Sequence, residues 1–154
     1  MKKRLLTLFV PVVVAAVVAG CGGDDMVEPE PPDVAGPPDV SGTYSLVSLT
    51  GVITQGATIG PPIAVGTAML TQNPGTGDSA TGSMSMTLTV TNPLNGEVTT
   101  IEDQGTFTLR TDGSWEFSGQ LQQNIGTYTL AGNVLTVQVT EPPAAVATTI
   151  WQRQ

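Results

Sequence analysis

Ser83-Met84-Ser85-Met86-Thr87-Leu88-Thr89-Val90-Thr91 alternates between apolar and hydroxyl side chains without a break. A period of two is the signature of a strand, here with Met84, Met86, Leu88 and Val90 on one face. A strand that is apolar on one side and polar on the other suits an antiparallel sheet wetted on one face only. Outward from it, across residues 40–154, no segment shows helical spacing. Strand signals recur instead at short intervals, divided by Gly, Pro and Asn.

Two hairpins have registers that simple counting decides. In Gly126-Thr127-Tyr128-Thr129-Leu130-Ala131-Gly132-Asn133-Val134-Leu135-Thr136-Val137, a two-residue turn at Gly132-Asn133 sets Leu130 opposite Leu135 and Tyr128 opposite Val137. All four then share a face, and glycine in the first turn position suits a type II′ turn. In Phe107-Thr108-Leu109-Arg110-Thr111-Asp112-Gly113-Ser114-Trp115-Glu116-Phe117, a two-residue turn would set Leu109 against Glu116. A three-residue loop at Thr111-Asp112-Gly113 sets Leu109 against Trp115 and Phe107 against Phe117, with Gly113 left-handed. The second register groups four apolar side chains and is preferred.

Further strands are expected at 43–50, 64–72, 97–103 and 148–153. Asn92-Pro93-Leu94-Asn95-Gly96 reads as a hairpin loop whose register stays open, since Val98 and Ile101 fall on opposite faces. The sum is an all-β domain of about eight or nine strands on short connections. An up-and-down antiparallel meander of that kind is expected to close into a small barrel, because closure removes exposed edges. The lysines that often guard open edges are absent: both lysines, Lys2 and Lys3, stand at the start of the chain.

Composition narrows the chemistry. The 154 residues include no histidine, one cysteine and seven aromatics. One cysteine allows no intramolecular disulfide. Without histidine or a lysine in the folded part, His-based general base catalysis, His/Cys metal sites and Schiff bases are not expected. Glu102 and Asp103 are adjacent, so on a strand they point to opposite faces and cannot act as a pair. Asp112 belongs to a turn for conformational reasons. No enzyme activity, metal or cofactor is expected.

The amino terminus carries an address. Met1-Lys2-Lys3-Arg4 is cationic, and the apolar run that follows is too short for a comfortable membrane span and is interrupted by Pro11. It ends in Val18-Ala19-Gly20-Cys21, which resembles the bacterial lipobox, with Cys21 as the lipid-attachment residue. The resemblance implies removal of residues 1–20 and membrane anchoring through lipid on Cys21. An ordinary secretory signal with a coincidental cysteine and an uncleaved anchor are the alternatives. Gly22 follows the cysteine, so the expected place is the cell envelope, at the outer membrane if the cell has one. Removal of the leader leaves two bases against 13 acids, a net charge of −11. Such a surface repels phosphate backbones, so nucleic acid is not an expected partner.

Residues 22–39 hold six acids and five prolines with almost no apolar content. Such a segment cannot form a core and reads as a spacer, reaching roughly 50 Å at about 3.1 Å per residue when extended. The organisation is thus a leader (1–20), a lipidated tether (21–39) and a β domain (40–154).

Gly42-Thr43-Tyr44-Ser45-Leu46, Gly105-Thr106-Phe107-Thr108-Leu109 and Gly126-Thr127-Tyr128-Thr129-Leu130 are three versions of one pentapeptide. As good strand sequence after a turn glycine, they need no further cause. The first, opening the domain as Val40-Ser41-Gly42-Thr43-Tyr44 behind the linker, resembles the lipocalin-like domains of bacterial lipoproteins. Tyr44 stands where lipocalins carry tryptophan, and Arg153 stands where a late-strand arginine packs over that ring. The resemblance implies a barrel-closing pair, Tyr44 with Arg153. The central lipocalin motifs are missing, so the resemblance does not carry ligand binding with it. Two uses are open. The barrel either binds a small apolar ligand lined by Met84, Met86, Leu88, Phe107, Trp115, Phe117 and Tyr128, or packs those residues as a plain core. The packed barrel, the simpler expectation for a small one, would serve as a structural or interaction module for another envelope protein.

Overall fold

The computed structural model describes residues 35–75 and 77–154; the leader, Cys21 and residues 22–34 lie outside the described residues. Nine strands follow in order: β1 (Gly42–Gly51), β2 (Thr58–Ile59), β3 (Ala64–Gln72), β4 (Ser79–Thr91), β5 (Val98–Arg110), β6 (Ser114–Gly119), β7 (Gln123–Ala131), β8 (Val134–Glu141) and β9 (Ala147–Arg153). Among the described residues the helical pieces are two three-residue 3-10 turns, Val52–Thr54 and Pro143–Ala145. Every pairing is antiparallel, and β9 returns to pair with β1. The sheet therefore closes as an eight-stranded up-and-down barrel, with β2 added to β1 as a two-residue extra strand.

Both counted registers hold. Leu130 faces Leu135 and Tyr128 faces Val137. Leu109 faces Trp115 and Phe107 faces Phe117. Gly132 and Gly113 take φ of +59° and +86°, the left-handed values their turn positions require. The hairpin left open by the sequence sets Thr91 against Val98 and Leu88 against Ile101. Ile101 takes the inward position and Val98 is exposed.

Three features differ from the strand limits and faces read along the chain. The first is β4, which begins at Ser79, four residues before Ser83, with Ala80 and Gly82 also facing inward and buried. A Cβ at Gly82 would strike the Phe107 ring and the Thr71 carbonyl, so bare backbone makes room for the ring. The second is β5, a single 13-residue strand where the sequence suggested a strand over 97–103 followed by another from Gly105. The polar run Glu102-Asp103-Gln104 reads as a break, yet Asp103 has a local reason to be buried, described below. The third is β1. Tyr44 and Leu46 face inward, and so does Leu49, three residues on. A register shift between Leu46 and Ser48 against β9 inserts Val47 as an extra, outward residue, a bulge that restores the inward parity.

The seam between β1 and β9 is where the barrel shuts. Tyr44 is opposite Arg153 and Leu46 is opposite Trp151. The buried Tyr44 hydroxyl donates to the Val40 carbonyl at 2.9 Å. It accepts from Arg153 Nε at 3.0 Å and Nη2 at 2.8 Å. The guanidinium carbon lies 5.4 Å from the centre of the Tyr44 ring, within cation–π range. Arg153 Nη2 also donates to the Asp39 carbonyl at 2.9 Å, which ties the incoming chain to the seam. Hydrogen bonds from the Ser41 side chain and backbone hold the Asp39 carboxyl below its ordinary value, and the Arg153 charge acts in the same direction. Pro37 is buried as well, so packing against the barrel begins a few residues ahead of Val40.

Tyr44→Phe should cost about 1–3 kcal/mol in urea unfolding, since it leaves the Val40 carbonyl without its phenol donor and Arg153 Nε without its acceptor. A change below about 0.5 kcal/mol would mean the seam does not rest on the phenol.

Candidate functional site

Inward-facing side chains divide the barrel interior into two unlike ends. One end holds Val40, Tyr44, Phe107, Leu109, Trp115 and Tyr128, all buried. Phe107 and Trp115 stack with ring centroids 5.5 Å apart and planes 10° apart, and Tyr128 tilts against Trp115 at 6.5 Å. The Tyr128 hydroxyl donates to the Arg110 carbonyl at 3.1 Å. Burial, with the Asp112 charge in support, raises the Tyr128 pKa. This end is filled.

The other end is not. β3 turns Ala64, Gly66 and Ala68 inward, and Trp151 reaches across from β9 until its ring lies where a Cβ on Gly66 would touch it. Ala68 of β3 and the short inward Ala147 of β9 border an apolar cavity of about 220 Å³. Its walls include Met84, Met86 and Leu88 of β4, Trp115 and Phe117 of β6, and Trp151. Ile53, Ala144 and Val146 also line it and are exposed, so the cavity meets solvent beside the two 3-10 turns. Val52 N donates to the Val146 carbonyl at 3.0 Å, joining those two segments across the mouth.

Of the interior residues expected from the sequence, Met84, Met86, Leu88, Trp115 and Phe117 line this cavity, while Phe107 and Tyr128 belong to the packed end. Cys21, Val18, Ala19 and Gly20 lie outside the described residues. Sequence reasoning did not find Trp151, Ala68 or the 144–147 stretch as cavity walls. The signal for Ala68 was present, as a small side chain at an inward position of an alternating strand.

Nor did it find the polar groups. Gln122, Asn124 and Thr149 are the polar residues in the lining. The Thr149 hydroxyl is engaged, accepting from Trp151 Nε1 at 2.8 Å. Asn124 stands on β7 opposite Phe117, in the inward set with Gly126, Tyr128 and Leu130. Its side-chain Oδ1 is buried and meets no hydrogen-bond donor.

The loop that presents Gln122 and Asn124 is held by a carboxylate. Asp103 is buried, while its neighbour Glu102 is exposed, in keeping with opposite faces of one strand. Asp103 Oδ1 accepts backbone N–H bonds from Gln104 at 2.8 Å, Gln120 at 2.8 Å and Leu121 at 3.3 Å. Three donors on one oxygen give the buried charge a structural reason to be there. They also shape the turn from β6 to β7.

No family model, curated protein or solved structure matches the chain. What the barrel can hold follows from its own geometry. An apolar cavity of about 150 Å³ accepts benzene, and drug-sized clefts start near 300 Å³. The space here lies between these, suited to one small ring or a short alkyl chain.

Asp103→Ala should cost about 2 kcal/mol, because it strips the shared acceptor from three partly buried backbone N–H groups. Amide exchange at Gln120 and Leu121 should rise more than at the Leu109–Trp115 pairing; uniform acceleration would contradict a local role.

Proposed function

We propose that this chain is a lipid-anchored bacterial envelope protein whose non-enzymatic, lipocalin-like barrel binds a small apolar ligand. The observation that carries the ligand half is the apolar cavity at one end of a closed barrel, lined by two methionines and both tryptophans. A fully packed scaffold would leave no such space, and the cavity favours carriage over that reading. The eight-stranded antiparallel barrel is compatible with a lipocalin-like domain.

The anchor half rests on sequence. A cationic start, a short apolar run and Val18-Ala19-Gly20-Cys21 lie in the order that lipid attachment requires. More than one acyl chain on Cys21 would hold the protein stably at a bilayer. The acidic, proline-rich residues behind it would keep the barrel clear of anionic headgroups.

Both halves are open to direct tests. Trp115 and Trp151 are the only tryptophans and both line the cavity, so fluorescence reports on it. 1-Bromohexane, an uncharged heavy-atom quencher, should quench that emission saturably. Ala68→Leu should weaken the effect about tenfold or more by filling the space, with the thermal midpoint unchanged or raised. Quenching that is linear and equal in both proteins would return the barrel to the scaffold reading. In cells, Cys21→Ser should move the protein from the membrane to the soluble fraction; firm retention would refute lipid attachment.

A further inference from the structure

Antiparallel neighbours send their connections alternately to the two ends of a barrel, and the two ends of this one differ. The 51–63 segment and the β4–β5, β6–β7 and β8–β9 connections share the end at which the cavity opens. The β3–β4, β5–β6 and β7–β8 connections lie at the other end, where the chain enters beside Arg153. Among the described residues eleven large apolar side chains are well exposed. Eight of them stand on or beside the mouth-end connections, Val52, Ile53, Leu94, Leu121 and Val146 included. Val47, Val65 and Met69 stand on the barrel wall, and none of the eleven is at the entry end. That end carries Asp78, Arg110, Asp112 and Arg153 in its connections and strand ends. At the mouth the connections hold one charged residue, Glu97, with Glu141 closing β8.

The apolar rim is held by its backbone. Asn92 Oδ1 accepts from Leu94 N at 2.9 Å, in a turn that leaves Leu94 94 % exposed. Val52 N donates to the Val146 carbonyl at 3.0 Å, and Thr91 N to the Ile63 carbonyl at 2.8 Å. Ile53 and Val146 also line the cavity, so rim and cavity wall share residues. Single exposed apolar residues are ordinary, but their concentration at one end marks a contact surface.

We propose that the mouth of the barrel docks on a zwitterionic lipid bilayer, so that apolar ligands pass between the acyl layer and the cavity. The proposal rests on the reading of an anchored carrier. A bilayer is favoured over a second copy because it is a reservoir of apolar molecules and the place where the anchor would hold the chain. Apolar loop tips without cations suit insertion at the headgroup boundary, where affinity follows buried apolar area. The negative net charge opposes anionic headgroups, and no lysine or arginine stands at the mouth to attract them. Chain length permits the orientation. Cys21 precedes Ala35 by fourteen residues, which span about 46–50 Å at full extension. The 13-residue strands, tilted as barrels require, rise about 30–35 Å along the axis. A lipid on Cys21 and the mouth can therefore reach one bilayer surface.

The test uses residues 21–154 with Cys21→Ser, which carry no acyl chain, so the result does not depend on lipid attachment. An environment-sensitive fluorophore is attached at Leu94→Cys on the rim or at Asn133→Cys at the entry end, in each case to the sole thiol. With vesicles of phosphatidylcholine brominated on its acyl chains, the probe at position 94 should shift to the blue and be quenched saturably. The probe at position 133 should do neither. Binding should be reversible, as expected without an acyl chain, and no tighter on vesicles containing phosphatidylglycerol. Val52→Ser combined with Leu121→Ser should weaken it about tenfold or more. The thermal midpoint should stay unchanged, since both side chains are exposed. No response at position 94, an equal response at position 133, or tighter binding to anionic vesicles would overturn the proposal. So would a blue shift without vesicles accompanied by a doubled mass in sedimentation, which would assign the rim to a second copy. Each of these results would leave lipid attachment and 1-bromohexane binding to their own tests.

Discussion

The architecture depends on the pairing of its last strand with its first. A sheet with no helices to cover it has two exposed edges, and this domain has no lysine with which to guard them. Closure of β9 on β1 removes both edges at once. It also requires the two strands to agree in register while their inward residues agree in face. The bulge at Val47 reconciles those demands, and the Tyr44–Arg153 contact fastens the end of the seam where the chain enters. The first described residues and the last strand are joined by one guanidinium.

Closure creates the space in which function is to be sought. Eight strands enclose an interior that only their own inward side chains can fill. At the end with Phe107, Trp115 and Tyr128, large rings meet and stack. At the other, Ala68 of β3 and Ala147 of β9 are short, and the space beside them stays open. The unequal distribution of side-chain size along the barrel axis, rather than any special motif, produces the cavity. Flexible Met84 and Met86 on its wall can adapt to more than one occupant shape.

Much of the fold was legible because it is local. The Gly132-Asn133 and Asp112-Gly113 turns register their strands through positions a few residues apart, and counting apolar pairs is enough. The unbroken alternation from Ser83 to Thr91 carried the sheet class for the same reason. What escaped notice depends on partners distant in sequence. Asp103 looked like a strand end, because the N–H groups of Gln120 and Leu121 that justify its burial lie more than a dozen residues away. The Val47 bulge is visible only against β9, about a hundred residues later. The inward direction of Asn124 follows only from its pairing with Phe117 on the neighbouring strand. Candidate lining residues were half recognised, since alternation tells which side chains face in but not where along the axis they leave a gap.

Whether an apolar molecule enters the barrel can be observed atom by atom with methyl-labelled methionine. Met84 and Met86 line the cavity, whereas Met69 is largely exposed and does not. On addition of 1-bromohexane, the account predicts saturable shifts of the Met84 and Met86 methyl resonances, with that of Met69 unmoved. Movement of Met69 alone, or of no methyl at all, would contradict it.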